Sequence, residues 1–250
     1  MAKKKEKIKY FDSKGKRIDG RAADELRPIK IEVGVLSRAD GSAYIEWGQN
    51  KILAAIYGPK EVLPKHLATP YRAIVTYNYR MATFSVPDRK NPKPGRREIE
   101  ISKVSGEALE RAIFLEKFPN TEIEIDVEVL DSNAGTRAAA LTAASVALAD
   151  AGIPMRDIVS AAGVGKVDGK IVVDLSKEEE DAEDAVDIPL AIMPNSSEIV
   201  LLQLDGLIKK DEWEKAVSAG IEACKKVYEI QKKALKEKYE AVGKEKEAEK

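Results

Sequence analysis

The sequence predicts an α+β fold, one domain in which mixed sheets pack against helices. Three observations carry this expectation. The chain opens with a meander of period-two segments, its later helices do not alternate with strands in βαβ order, and no composition break or repeat marks a linker.

Residues 1–17 hold eight Lys/Arg against Glu6 and Asp12 and read as a flexible basic arm. From Pro28, IKIEVGVL places Ile29, Ile31, Val33 and Val35 on one side, the period of a strand. Asp40-Gly41 signals a turn, and AYIEW and KILAAIYG complete a β-meander. Ala73, Val75, Tyr77 and Tyr79 alternate again. Pro87, Pro92, Pro94 and Gly95 then break the pattern, so residues 80–97 read as a long basic loop. From Glu98 to Glu116 the apolar spacing turns helical, through Ile101, Val104, Ala108, Leu109, Ala112 and Ile113. TEIEIDVEVL is the cleanest strand, with its acids outward. A short loop leads into the alanine-rich helix RAAALTAASVALADAG, ended by Gly152 and Pro154. Val167-Asp168-Gly169-Lys170 makes a hairpin, an acidic stretch follows, and two strands (188–193 and 199–204) precede a long helix from 211 to 239.

Composition narrows the chemistry. With 42 Lys+Arg against 43 Asp+Glu the net charge is −1, which read alone argues against a polyanion partner. A single histidine, His66, lies far from any nucleophile elbow, and a single cysteine, Cys224, cannot form a CxxC pair. Zinc hydrolase and thiol chemistry are therefore disfavoured, and carboxylates or arginines must carry any catalysis. No apolar run reaches the length of a membrane helix, and MAKKKEKIKY lacks a signal-peptide core, so a cytoplasmic setting and no membrane partner are expected.

Three segments carry candidate chemistry. The 80–97 loop holds Arg80, Arg89, Lys90, Lys93, Arg96 and Arg97 against one acid, Asp88, and Arg96-Arg97 immediately precede a helix N-terminus. Paired guanidinium groups there suit phosphate oxygens. Asn133-Ala134-Gly135-Thr136-Arg137 is a small-residue turn entering a helix, where Gly135 admits an anion to the backbone, Thr136 donates and Arg137 supplies charge. GVGKV at 163–167 lacks the spacing of a phosphate loop. The third segment, Glu178–Asp187, clusters carboxylates between apolar strands, an arrangement that raises a carboxyl pKa or binds a divalent cation. Together these point to chemistry on phosphate, by a phosphate-handling enzyme or an RNA-binding protein.

Jointly the segments resemble the RNase PH family of phosphate-dependent 3′-to-5′ exoribonucleases, and within it the catalytic branch of the archaeal exosome. The resemblance is carried by GRREIEISKVSGEALERA (95–112), NAGTRAAALTAASVALADAGIPMRD (133–157), VGKVDGKIVVDL (164–175) and ED-x5-D-I-P (180–189). RIDGRAADELRPI and YGPKEVLPKHL match as well, so it spans about residues 8–240. It implies a ribosomal protein S5 domain 2-like fold, with an RNase PH-like catalytic domain at 18–240 between the 1–17 arm and a charged tail at 241–250.

The same resemblance implies the site residues. Gly135, Thr136 and Arg137 correspond to the inorganic phosphate site, Arg96 and Arg97 to the arginines on the RNA 3′ end, and Lys65 to the RNA entry neck. Asp181 and Asp187 correspond to the catalytic carboxylate pair and to the ligands of a Mg²⁺ ion, with Asp181 as general acid. Asn133 stands where the family commonly has an acid. The implied reaction is phosphorolysis of RNA, with inorganic phosphate as co-substrate, nucleoside diphosphates as products and RNA tailing in reverse. The implied partners are RNA, a related inactive RNase PH-like subunit in an alternating six-membered ring, and S1/KH-type cap proteins. Two other readings are a tRNA-trimming RNase PH, whose second aspartate is usually followed toward an asparagine rather than Ile188-Pro189, and a non-catalytic RNA-binding ring subunit, which would lack the acid pair.

Overall fold

In the computed structural model, which describes residues 10–12 and 15–248, two sheets enclose a helical layer. The first sheet has five strands: β1 (Ile29–Val33), β2 (Gly41–Trp47), β3 (Asn50–Glu61), β5 (Thr121–Asp131) and β4 (Ile74–Met81), in that spatial order. Its β1–β2–β3 meander is antiparallel, whereas β4 joins β5 in parallel after the crossover through helix α1 (Arg96–Ala112). The second sheet is antiparallel, in the order β7 (Lys170–Val173), β6 (Ser160–Val167), β8 (Val186–Met193), β9 (Glu198–Leu202). The mixed α+β architecture expected from the sequence is present.

Helix α2 (Thr136–Asp150) lies between the two sheets and is buried on nearly every side, which explains its alanines: only small side chains let a helix touch sheets on opposite faces. Gly41 opens β2 where a Cβ would meet Ala147 O at 2.4 Å and Ala151 N at 2.3 Å. The Asp40-Gly41 pair therefore serves close packing of β2 on the end of α2, while the β2–β3 hairpin turns at Gly48-Gln49.

Alternation along the second sheet assigns its two faces. Ala162, Val164, Ile188, Leu190 and Ile192 pack against Ala216, Ala223 and Cys224 of helix α4 (Lys210–Ala248), and Ala161, Ala191 and Met193 face the α2 layer. Gly163 and Gly165 on β6 and Asp187 and Pro189 on β8 share that inner face, with Gly165 opposite Asp187 and Gly163 opposite Pro189. The GVGK stretch is thus strand: Gly165 admits the close approach of Val186 O and the Leu175 side chain, and Gly163 leaves space beside Asp187.

The acidic stretch is more ordered than a loop. Residues Lys177–Glu180 form a one-turn helix, α3, and β8 already begins at Val186. Glu179 is fully buried, its carboxylate accepts from Ser176 N at 2.8 Å in a capping box, and it pairs with Arg17. Arg17 is buried too: Nε donates to Glu179 Oε1 at 2.8 Å, Nη1 to the Val173 carbonyl at 2.6 Å and Nη2 to the Asp174 carbonyl at 2.9 Å. Of the basic arm, residues 1–9 and 13–14 lie outside the described residues, and Arg17 at its end is anchored in the fold rather than solvated. The α4 backbone continues to Ala248, through most of the charged tail.

Removing one partner of a buried ion pair strands the other. Arg17→Met is therefore expected to lower unfolding free energy in urea titrations by about 3–5 kcal/mol. Adding Glu179→Leu should recover part of that loss, and a double variant weaker than the single one would show that the carboxylate is satisfied elsewhere.

Candidate active site

Two helix N-termini and one strand end meet at the open end of the inner layer. Helix α1 starts at Arg96, two residues before the start read from sequence, because Gly95 caps it and Glu98 closes a capping box: Gly95 N donates to Glu98 Oε2 at 2.8 Å. Arg96 and Arg97 thus belong to the first turn of the helix. Glu98 is buried and ion-paired with Lys90. Burial would raise its carboxyl, but Lys90 and the backbone amides outweigh this and hold it below the usual carboxylate range. Lys90 therefore ties the 80–97 loop down, and Arg80 leaves the loop altogether, lying on β4 opposite Glu128.

Helix α2 starts at Thr136, with Gly135 as N-cap at φ 76°, a left-handed conformation that glycine adopts without strain. The turn before it is fastened from below. Arg27 Nη2 and Asn50 Nδ2 each donate to Ala134 O at 2.8 Å, Asn133 N donates to Asn50 Oδ1 at 2.6 Å, and Asn133 Oδ1 accepts from Arg27 Nη1 at 3.3 Å. Arg27 is in turn held by Asp174, which also accepts from Trp47 Nε1 at 2.9 Å. Burial would raise the Asp174 carboxyl, but the Arg27 guanidinium and amide and the Trp47 indole outweigh it, and the group stays ionised below the usual range. Tyr79 Oη donates to the buried Thr136 hydroxyl at 2.9 Å. Arg137 is oriented by Glu100, 3.1 Å from its Nη2, and by Gln203, whose Nε2 donates to Glu100 at 2.7 Å and whose Oε1 accepts from Arg137.

These elements surround a cavity of about 520 Å³ lined by Arg97, Arg137, Lys177, Glu180, Asp187 and Asp205 among others. Three cations face three carboxylates there, and the positive ends of α1 and α2 add to the cationic side. The Asp187 backbone is bridged to Asp205 by two 2.9 Å hydrogen bonds. Its carboxyl is pushed up to about 6, first by burial and then by Glu180 and Asp205, while Arg137 and Arg97 pull the other way. A half-buried acid that holds its proton up to about pH 6, on a cavity it shares with two arginines, is equipped for proton transfer near a phosphate.

Not every residue singled out in the sequence lines the cavity. Arg97, Arg137 and Asp187 do, and Gly135 and Thr136 stand at the helix start that carries Arg137. Asp181 is exposed at the end of α3, its carboxylate 2.7 Å from Lys177 Nζ, so it connects to the cavity through Lys177. Arg96 is exposed beside Arg97, and Lys65 is exposed on the short turn 65–67, paired with Glu61 at 2.7 Å. Among the described residues no cluster of three or more His, Cys, Asp or Glu side chains is arranged to hold a metal. Sequence reasoning passed over Arg27, Asp174, Glu100 and Gln203, and took Glu179 only as one of the 178–187 acids. The Ser176-x-x-Glu179 capping signature was legible, whereas Asp174 and Gln203 carry no local signal.

Two helix N-termini, two arginines and a half-buried carboxyl on one cavity form an arrangement suited to phosphate groups. The family models agree: the RNase PH model, 3′ exoribonuclease family, domain 1, matches residues 25–154, and domain 2 matches residues 157–223. The chain belongs to this 3′ exoribonuclease family. It is 58% identical over 245 residues to "Exosome complex component Rrp41" of Thermococcus onnurineus, covering 98% of each chain. The protein of the same name from Thermoplasma volcanium is 58% identical over 237 residues, 95% of each. Among solved structures, rice Rrp46 superposes with a TM-score of 0.77 at 26% identity, over 88% of this chain and 100% of that one. An Archaeoglobus fulgidus exosome chain, from a complex with RNA bound to the active site, shares the fold with a TM-score of 0.75 at 24% identity over 86% and 92%.

The raised Asp187 carboxyl makes a stability prediction. Its folded value lies above its unfolded one, so the folded state binds the extra proton between about pH 4 and 6, and stability is lost as pH rises through 6. In metal-free buffer Asp187→Asn should therefore stabilise the fold above pH 7 by up to about 3 kcal/mol, with the gain vanishing below pH 4. Thermal melts across pH test this, and a destabilised or pH-independent variant would contradict the burial argument.

Proposed function

We propose that this chain is the catalytic subunit of an exosome, a 3′-to-5′ exoribonuclease that uses inorganic phosphate to release nucleoside diphosphates from RNA. The observation that carries the reading is the convergence of Arg97, Arg137 and the half-buried Asp187 on one cavity at two helix N-termini. The family membership and the exosome-component relatives support it.

In this reading orthophosphate sits at the start of α2, on Arg137 and the Gly135–Thr136 turn, and Arg97 with Arg96 neutralises the terminal phosphodiester. Bringing two anions to reacting distance, about 3–3.5 Å, is the main electrostatic cost, and cations fixed before substrate arrives reduce it. A phosphate oxygen attacks the terminal phosphorus, the bond to the ribose 3′-oxygen breaks, and that oxygen leaves as a hydroxyl. Its proton comes from the Asp181–Asp187 pair, with Asp181 as general acid. No base is needed, since phosphate is already an anionic nucleophile, in keeping with a single, distant histidine.

The cavity also fits Mg²⁺ as phosphate enzymes commonly hold it, through one or two carboxylates completed by phosphate oxygens and water rather than by a protein cage. Asp187 would hold the ion from the cavity wall, with Asp181, outside that lining, as the second carboxylate of the proposed pair, and when bound the ion would screen the developing charge. Lys65 would line the RNA entry, with a related inactive subunit alternating in a six-membered ring, S1/KH-type caps above it and the cytoplasm as its setting. Among the described residues no helix is long and apolar enough to cross a membrane. The retained acid pair favours this reading over a silent RNA-binding ring subunit.

Chromatography of products from the reconstituted ring should show diphosphates that require added phosphate, and monophosphates or phosphate-independent release would overturn phosphorolysis. Asp181→Asn should abolish release while RNA retention stays intact. Arg137→Lys should raise the KM for phosphate at least tenfold, because lysine cannot reproduce the two-pronged grip.

A further inference from the structure

We propose that Gln203 is a positioning residue of the phosphate site, whose neutral carbonyl aims the Arg137 guanidinium without neutralising the charge that the anion needs. The inference rests on the phosphorolytic reading and deepens it, naming a group that sets phosphate affinity through Arg137.

Arg137 stands on the first turn of α2, and among the described residues its guanidinium has two partners, both reached through its terminal nitrogens. Nη1 donates to Gln203 Oε1 and Nη2 to Glu100 Oε2 at 3.1 Å, while Nε is buried without an acceptor. Gln203 and Glu100 therefore fix the plane of the group between them. Gln203 Nε2 donates to Glu100 Oε1 at 2.7 Å, which closes a ring of three side chains and leaves the amide one orientation. Turned over, the amide would set its carbonyl against the carboxylate and its NH2 against the guanidinium, two repulsive contacts in place of two hydrogen bonds.

The two acceptors differ in charge and in place. Glu100 is partly exposed, so water screens its charge, whereas Gln203 lines the cavity itself. A carboxylate at position 203 would pair with Arg137 and compete with phosphate for it. An amide carbonyl orients the same nitrogen and leaves the positive charge to the anion. Gln203 is also anchored from behind: it follows β9 directly, and its backbone N–H donates to Pro189 O of β8 at 3.1 Å. The aim of an arginine on one family domain is thus set by a residue of the other.

The test uses the reconstituted ring, with RNA saturating, phosphate varied and thermal melts confirming that each variant folds. Gln203→Met should raise the KM for phosphate about tenfold, as for loss of one hydrogen bond to a charged group, while kcat and the KM for RNA stay within twofold. Gln203→Glu, the same shape with a charge, should raise it further. On an Arg137→Lys background Gln203→Met should add less than about twofold, because lysine has no planar fork to aim, a coupling that a residue serving only stability would not show. An unchanged phosphate KM in either Gln203 variant, a loss shared equally by kcat and RNA binding, or a full penalty that persists beside Arg137→Lys would overturn the assignment. If Gln203→Met fails to fold, the isosteric Gln203→Glu decides on both backgrounds. Calorimetric titration of the same ring with inorganic phosphate is read separately from turnover. Phosphate-independent release by the wild type removes phosphorolysis, whereas weaker phosphate binding by Gln203→Met still assigns Gln203 to the anion site, and equal binding by both proteins would overturn it.

Discussion

The Asp174 carboxylate is the point on which the site depends. It sits just past the end of β7 at φ 55°, almost wholly buried, and takes the Arg27 guanidinium, the Arg27 amide and the Trp47 indole as donors. An isolated carboxylate there would be too costly to bury, so the donors must be in place together. Their arrangement reaches outward: the Arg27 group that neutralises Asp174 also donates to Ala134 O and sets the turn before α2. A residue at the end of the second sheet's hairpin thus shapes the 133–137 turn that follows the first sheet. The two family domains are joined at this contact.

A second buried pair does the same for the acidic segment. Arg17 binds Glu179 with one edge and the Val173 and Asp174 carbonyls with another, so α3 is held to the end of β7. That places Lys177 and Glu180 in the cavity and Asp181 beside Lys177. Most of the acids in 178–187 are solvated, and the structural work falls to the one fully buried member. Asp187 is the reverse case. It is half-buried without a pairing strong enough to offset its desolvation, a cost of the kind that folds keep at functional sites.

Near-neutral net charge proved uninformative about partners, because charge is sorted by position rather than by sum. Cations collect at the starts of α1 and α2, where helix dipoles reinforce them, and carboxylates collect at the start of β8 and the end of α3. Not all of the basic loop contributes. Arg80 lies on a strand and Lys90 is spent on Glu98, so of its six cations Arg97 is the one that lines the cavity with Arg137 and Asp187.

The sequence by itself determined the mixed α+β class, the β1–β3 meander, the two main helices and the hairpin at Asp168-Gly169, because each follows from periodicity or turn chemistry over a few neighbouring residues. It also marked Arg97 and Gly135–Arg137, since residues at a helix start are legible locally, and the 178–187 carboxylate cluster, within which the family resemblance rather than a local signal picked out Asp187. Helix boundaries shifted where a cap decided them, as at Gly95-Glu98. Only the tertiary structure decided which cations and acids meet. Arg27 with Asp174 and Arg17 with Glu179 are each separated by more than a hundred residues, and Gln203 reaches Arg137 from the far sheet. Such contacts are set by packing two sheets on one alanine-rich helix, and no periodicity along the chain encodes them.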